Sequence, residues 1–127
     1  MSWLNFWLNF GYDYPIPDGR YFRYIFKFGP WLKPSFKEKG HTASPDYLKN
    51  GKMALVELID RYNTMLISVV RDNGFKDHVY YVDLTPTLSN DKDCKDDWTN
   101  ELHPSRDRDQ GFFKVAEKFA DVLSKLP

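Results

Sequence analysis

The sequence predicts a single α/β domain, residues 1–127, with a short parallel sheet. Three observations lead there. Two strand-like runs, at 3–10 and 78–84, flank a long helical pattern at 45–71. A second helical pattern, at 110–126, follows the second strand after a polar loop. The apolar stripe of the first helix is broad, as a helix laid on a sheet requires. A strand–helix–strand order of this length implies a parallel pair joined by a right-handed crossover.

Residues 3–10 read Trp-Leu-Asn-Phe-Trp-Leu-Asn-Phe, a tandem four-residue repeat that ends at Gly11. The run is short and aromatic, which favours a strand, and its composition suits an exposed edge. Residues 11–43 hold Gly11, Pro15, Pro17, Gly19, Gly29, Pro30, Pro34 and Gly40. They read as one long aromatic loop with a helical turn near Tyr21 to Phe26, and structureless loops of that length are usually functional. Pro17-Asp18-Gly19 is a turn in which proline presets φ and glycine accepts a positive φ. Ser44-Pro45 reads as an N-cap followed by proline at the first helical position. Met53, Leu55, Val56, Ile59, Tyr62, Leu66, Val69 and Val70 recur at helical spacing and read as core, while Gly51 is a place where the helix breaks or restarts. His78 to Leu84 is rich in β-branched and aromatic residues and reads as the second strand. Residues 85–108 form a polar loop with an acidic run, Asp91, Asp93, Asp96 and Asp97, of the kind that is solvated. In the last helix Phe112, Val115, Phe119, Val122, Leu123 and Leu126 form the expected buried face.

Composition narrows the function. Lys+Arg 18 balances Asp+Glu 18, so no net charge draws the chain to nucleic acid or to an anionic membrane. Basic residues Arg20, Arg23, Lys27 and Lys33 alternate with aromatics, but at zero net charge they read as solvated side chains beside buried rings. Cys94 is the only cysteine, which excludes an internal disulfide and a cysteine-rich metal site. No run approaches the roughly 20 apolar residues of a membrane span. The first residues lack the basic region of a leader, so the expected location is the cytoplasm. No phosphate-binding loop, dinucleotide fingerprint or metal-ligand spacing appears, so the expectation is no cofactor and no metal. His41 and His78 read as ordinary polar residues. Tyr12, Asp13 and Tyr14, with Asp18, Arg20 and Arg23, either line a small-molecule groove or build a loop held by aromatic packing.

The string Trp98-Thr99-Asn100-Glu101-Leu102-His103-Pro104, followed by Gly111-Phe112 and a helix, resembles the catalytic-histidine segment of the SGNH (GDSL-type) hydrolases. Other segments resemble the same family. Phe10 to Pro17 resembles a central strand end and its loop, Leu58 to Asn63 resembles the next helix, and Val79 to Leu84 resembles the last core strand. The resemblance implies a partial flavodoxin-like three-layer arrangement with His103 as general base for a serine. The chemistry needs such a base, because a hydroxyl is a weak nucleophile. A third group must fix the imidazole tautomer and stabilise the imidazolium. In the family that group is an Asp three residues before the His, and here the position is Asn100. An amide orients the ring but does not neutralise it, so Asp97 and Glu101 stand as candidate supports.

The family's Gly-Asp-Ser nucleophile segment and its Gly-x-Asn-Asp segment have no counterpart in this sequence. Loss of nucleophile and oxyanion donors together removes most covalent catalysis. The expectation is therefore a truncated SGNH-hydrolase-like protein without independent esterase activity. It keeps a groove for a small ester or carbohydrate-like ligand near His103, with Tyr12, Asp13, Tyr14 and Asn100 as lining candidates. Two alternatives stay open: a serine esterase whose site is completed in trans, and an interaction module that uses the aromatic N-terminal third. The expected partner is a second copy, with the N-terminal strand at the dimer interface.

Overall fold

The computed structural model describes residues 7–20, 22–23, 27–72, 74–75, 78–91 and 96–126. It is an α/β structure with a parallel strand pair. β1 (Trp7–Phe10) and β4 (Val79–Val82) are in register from Trp7↔Val79 to Phe10↔Val82. Two flanking bonds extend the ladder, Trp7 N–H to the His78 carbonyl at 2.7 Å and Gly11 N–H to the Val82 carbonyl at 3.0 Å. Between the strands runs α2 (Tyr47–Arg71), which touches both. α3 (Gly111–Leu123) follows the site loop and touches β4, and its Phe119 meets Phe10 of β1 edge-to-face at 5.5 Å. Trp3 and Phe6, the first half of the aromatic repeat, lie outside the described residues, as does Cys94.

The segment 11–43 is not one loop. β2 (Phe22–Arg23) and β3 (Lys27–Phe28) pair antiparallel where a helical turn was expected, and α1 (Leu32–Glu38) follows. Residues 21 and 24–26 of that expected turn lie outside the described residues. Pro34 falls in the first turn of α1, where a missing N–H costs nothing. Helix α2 starts two residues later than the Ser44-Pro45 signal indicates. The signal works nonetheless: the Ser44 hydroxyl accepts the Asp46 N–H at 3.2 Å, and the Ser44 carbonyl accepts the Tyr47 N–H at 3.0 Å. Gly51 does not break the helix. It is buried, and a Cβ there would sit 3.0 Å from the Pro17 ring, so the glycine is where the helix meets the loop after β1.

The apolar stripes are the larger correction. α2 buries only Gly51, Leu55, Ile59 and Asn63, a single row at four-residue spacing. Met53 and Val69, expected in the core, are exposed, and Tyr62 is too. On α3 Phe112 and Leu123 are exposed, leaving Val115, Phe119 and Val122 half-buried, as is Leu126 beyond the helix end. The periodicity identifies helices correctly but overestimates how much sheet there is to cover them. The core lies instead beyond the carboxyl ends of β1 and β4. Ile16, Leu88 and Trp98 cluster there, with Tyr12, Leu48 and Val115 packed against them. No helix among the described residues is long and apolar enough to cross a membrane.

Candidate functional site

The segment Asp97–Ser105 is a tight antiparallel loop. Trp98 and Pro104 bridge, the Thr99 N–H reaches the His103 carbonyl at 2.9 Å, and the Ser105 N–H reaches the Asp97 carbonyl at 2.8 Å. Trp98 anchors it: the ring is buried in the core, and its indole N–H donates to the Ser89 carbonyl at 2.8 Å. Arg20 clasps the same residue from outside, donating to the Trp98 carbonyl at 2.9 Å while paired with Asp18.

Asn100 is buried under this loop, and its Oδ1 accepts the N–H groups of Leu102 and His103, both at 2.9 Å. The His103 Nδ1 lies 3.0 Å from that same oxygen. Backbone N–H groups are obligate donors, so the atom facing them is an acceptor, and the imidazole nitrogen beside it must carry the proton. The neutral ring is thereby held as the Nδ1–H tautomer with its lone pair on Nε2. The Trp31 ring stands tilted against the imidazole at 5.4 Å between centroids. Together with Thr99, Pro104, Arg106 and Phe112 these groups line a cleft of about 300 Å³.

Neither candidate acid serves His103. Glu101 has no exposed surface, and its carboxylate accepts four backbone N–H groups: Gly19 at 2.9 Å, Trp31 and Leu32 at 2.7 Å, and Lys33 at 3.1 Å. It caps the uncapped start of α1 and so fixes Trp31 against the histidine. Asp97 accepts Ser89 N–H at 2.9 Å and Gly111 N–H at 3.2 Å, and pairs with Lys114 at 2.7 Å. Burial pushes its carboxyl up, but the Lys114 ammonium and the two amides outweigh burial and hold it below the usual aspartate value. Gly111 is required at this junction. Its φ is +39°, and a Cβ would meet the Ser105 backbone at 2.3 Å.

Tyr12, Asp13 and Tyr14 are not among the cleft's walls. The Tyr12 hydroxyl donates to the Leu102 carbonyl behind the histidine, and burial pushes its pKa up to about 12. Its backbone pairs with the Asn63 amide, N–H to Oδ1 at 2.9 Å and carbonyl from Nδ2 at 3.0 Å. Asp13 is buried and accepts the amides of Tyr14, Thr87 and Leu88 at 2.8, 2.8 and 2.6 Å. Burial raises its pKa, and these bonds offset only part of that. Tyr14 donates to Asp60 at 2.7 Å.

The described serine hydroxyls all bond within their own turns or helices: Ser35 to Trp31, Ser44 with Asp46, Ser68 to Met65, Ser89 with Asp91, Ser105 with Asp107 and Ser124 to Asp121. Trp31, Arg106 and Phe112 are the wall residues that sequence reasoning missed. Phe112 belongs to the face of the last helix that the periodicity predicts to be buried, and no spacing rule ties Trp31 to a histidine so distant in the chain. Comparison with models of known protein families, with curated proteins and with solved structures finds no match to this chain.

Proposed function

We propose that this chain is an SGNH-hydrolase-like protein that binds a small neutral molecule at His103 and has no esterase activity of its own. One observation carries the reading. Asn100 locks the imidazole so that Nε2 offers a lone pair beside the Trp31 ring in an open cleft. A hydrogen-bond acceptor next to an aromatic face suits a ligand with a hydroxyl donor and an apolar face, such as a sugar-like molecule or a small hydroxy-ester. The orientation is also the one a general base needs. What argues against turnover is the engagement of the described serines in local bonds and the commitment of Asp97 and Glu101 elsewhere. In this reading the β1–β4 pair with α2 and α3 corresponds to part of a flavodoxin-like three-layer arrangement.

The test combines fluorophosphonate labelling, p-nitrophenyl acetate turnover, and ¹⁵N imidazole spectra during titration with ethyl lactate and methyl glucoside. The expected result is no labelled serine, equal turnover for wild type and His103→Ala, and a saturable shift of the His103 Nε2 resonance with at least one probe. Labelling of one serine that vanishes in His103→Ala would establish an active hydrolase instead. No shift with either probe would remove the binding reading.

A further inference from the structure

We propose that α1, with the β2–β3 pair before it, forms a surface that binds single-stranded nucleic acid through its phosphates. The even charge balance of the chain conceals an uneven distribution. Residues 21–39 hold five basic residues and one acidic, a net charge of +4, so the rest of the neutral chain carries −4. The same stretch holds seven aromatic residues. A local excess of cations sets the sign of a partner even where the net charge is zero.

The structure leaves this charge open to a partner. Lys33, Lys37 and Lys39 are exposed, and no ion pair among the described residues involves them. Lys33 and Lys37 stand one turn apart on α1, a helix with no buried residue. In the β2–β3 register Arg23 lies directly opposite Lys27. Like charges at opposed positions destabilise a strand pair, and a bound anion offsets that cost. Trp31, next to α1, is 39% exposed and offers ring surface on which an unpaired base can stack. Such stacking tolerates any sequence, because every base has a π face.

The packing of α1 favours a nucleic acid over an anionic membrane. Its apolar residues Leu32 and Phe36 are half-buried, and Phe36 meets the rings of His41 and Tyr47 at 6.2 and 5.9 Å. The helix therefore has no free apolar face to enter a bilayer, which an interfacial helix needs. Cations beside an aromatic ring are instead the pattern of a single-strand groove. Trp31 is shared with the His103 cleft, but the lysines are not, so different substitutions test the two sites.

Fluorescence anisotropy of a labelled thymidine strand about 12 nucleotides long, titrated with the full chain at about 50 mM salt, tests the surface. The expected Kd lies between about 1 and 100 µM, and log affinity should fall against log salt with a slope of about −2 to −3, as three or four contacted phosphates require. Lys33→Glu with Lys37→Glu should weaken binding about tenfold or more. Lys49→Glu with Lys118→Glu, an equal change of charge at exposed positions of α2 and α3, should weaken it less than about threefold. Trp31→Ala should weaken it about fivefold or more, with Trp31→Phe retaining most of the affinity. Circular dichroism of both lysine variants confirms an intact fold. No anisotropy change at about 500 µM protein overturns the proposal, since even non-specific binding is tighter than that. Equal weakening by the two lysine variants also overturns it, because net charge alone would then explain the binding. Unchanged binding in Trp31→Ala would overturn the single-strand assignment. Sedimentation with phosphatidylserine vesicles, without oligonucleotide binding, would assign the surface to a membrane instead.

Discussion

The loop that carries His103 is more deeply enclosed than the helices around it. Between residues 97 and 105 the structure buries Asp97, Trp98, Asn100, Glu101 and Ser105, whereas all 25 residues of α2 bury four and α3 buries only Gly111. Loops usually run over the surface because their backbone groups need water. Here buried side chains stand in for water. The carboxylates of Glu101, Asp97 and Asp13 and the amide of Asn63 take up backbone N–H groups from other segments, and Asn100 takes up those of its own loop. The difference teaches that order at the site comes from polar clasps on an irregular chain, not from packing of the regular elements.

The largest expected effect lies at the centre of that contrast. Glu101→Ala would leave four donors without their acceptor and should cost about 4 kcal/mol, a large part of an ordinary domain's stability, with Glu101→Gln intermediate. Urea unfolding measures it. A cost under about 1 kcal/mol would mean that the loop is held by something other than its clasps.

Next comes the helix side of the comparison. Leu55→Ala, on the buried row of α2, should cost about 3 kcal/mol, and Met53→Ala, 63% exposed, should stay within about 0.5 kcal/mol. Comparable costs at both positions in thermal melts would show that burial does not set the energetics of α2.

The smallest effect separates the clasps from one another. The folded pKa of Asp97 is lowered, so its contribution is present above the unfolded value and is lost as pH falls through the folded one. For Asp13 the folded pKa is raised, so its contribution is full below the unfolded value and is lost as pH rises through the folded one. The stability difference between wild type and Asp97→Asn, about 1–2 kcal/mol at neutral pH, should shrink on acidification. The difference for Asp13→Asn should grow. Unfolding curves from roughly pH 6 down to pH 3 read both slopes, and slopes of the same sign would break the assignment.

Legibility in the sequence followed the range of the interaction. Helical periodicity is local, so α2 and α3 were readable to within a few residues, and so was the strand at 79–82. How much of a helix is buried depends on neighbours far along the chain, and there the reading failed at Met53, Val69, Phe112 and Leu123. At the site, Asn100 and His103 sit three apart, and their contact follows from that spacing. Asp97 and Glu101 are equally close in sequence, yet their bonds go to Lys114 and to the start of α1, partners that no local pattern identifies. Trp31 was hidden for the same reason, inside a stretch whose prolines and glycines read as loop although it holds a hairpin and a helix.

The junction at Gly111 has a consequence for anyone who would rearrange this chain. The glycine sits so close to the Ser105 backbone that any side chain would collide with it, and the next amide, of Phe112, donates to the Ser105 carbonyl at 2.9 Å. The terminal helix and the histidine loop therefore meet main chain to main chain. The two are not separable: a transplant of the loop alone would leave its base open, and an exchange of the helix alone would have to keep a glycine at its first position.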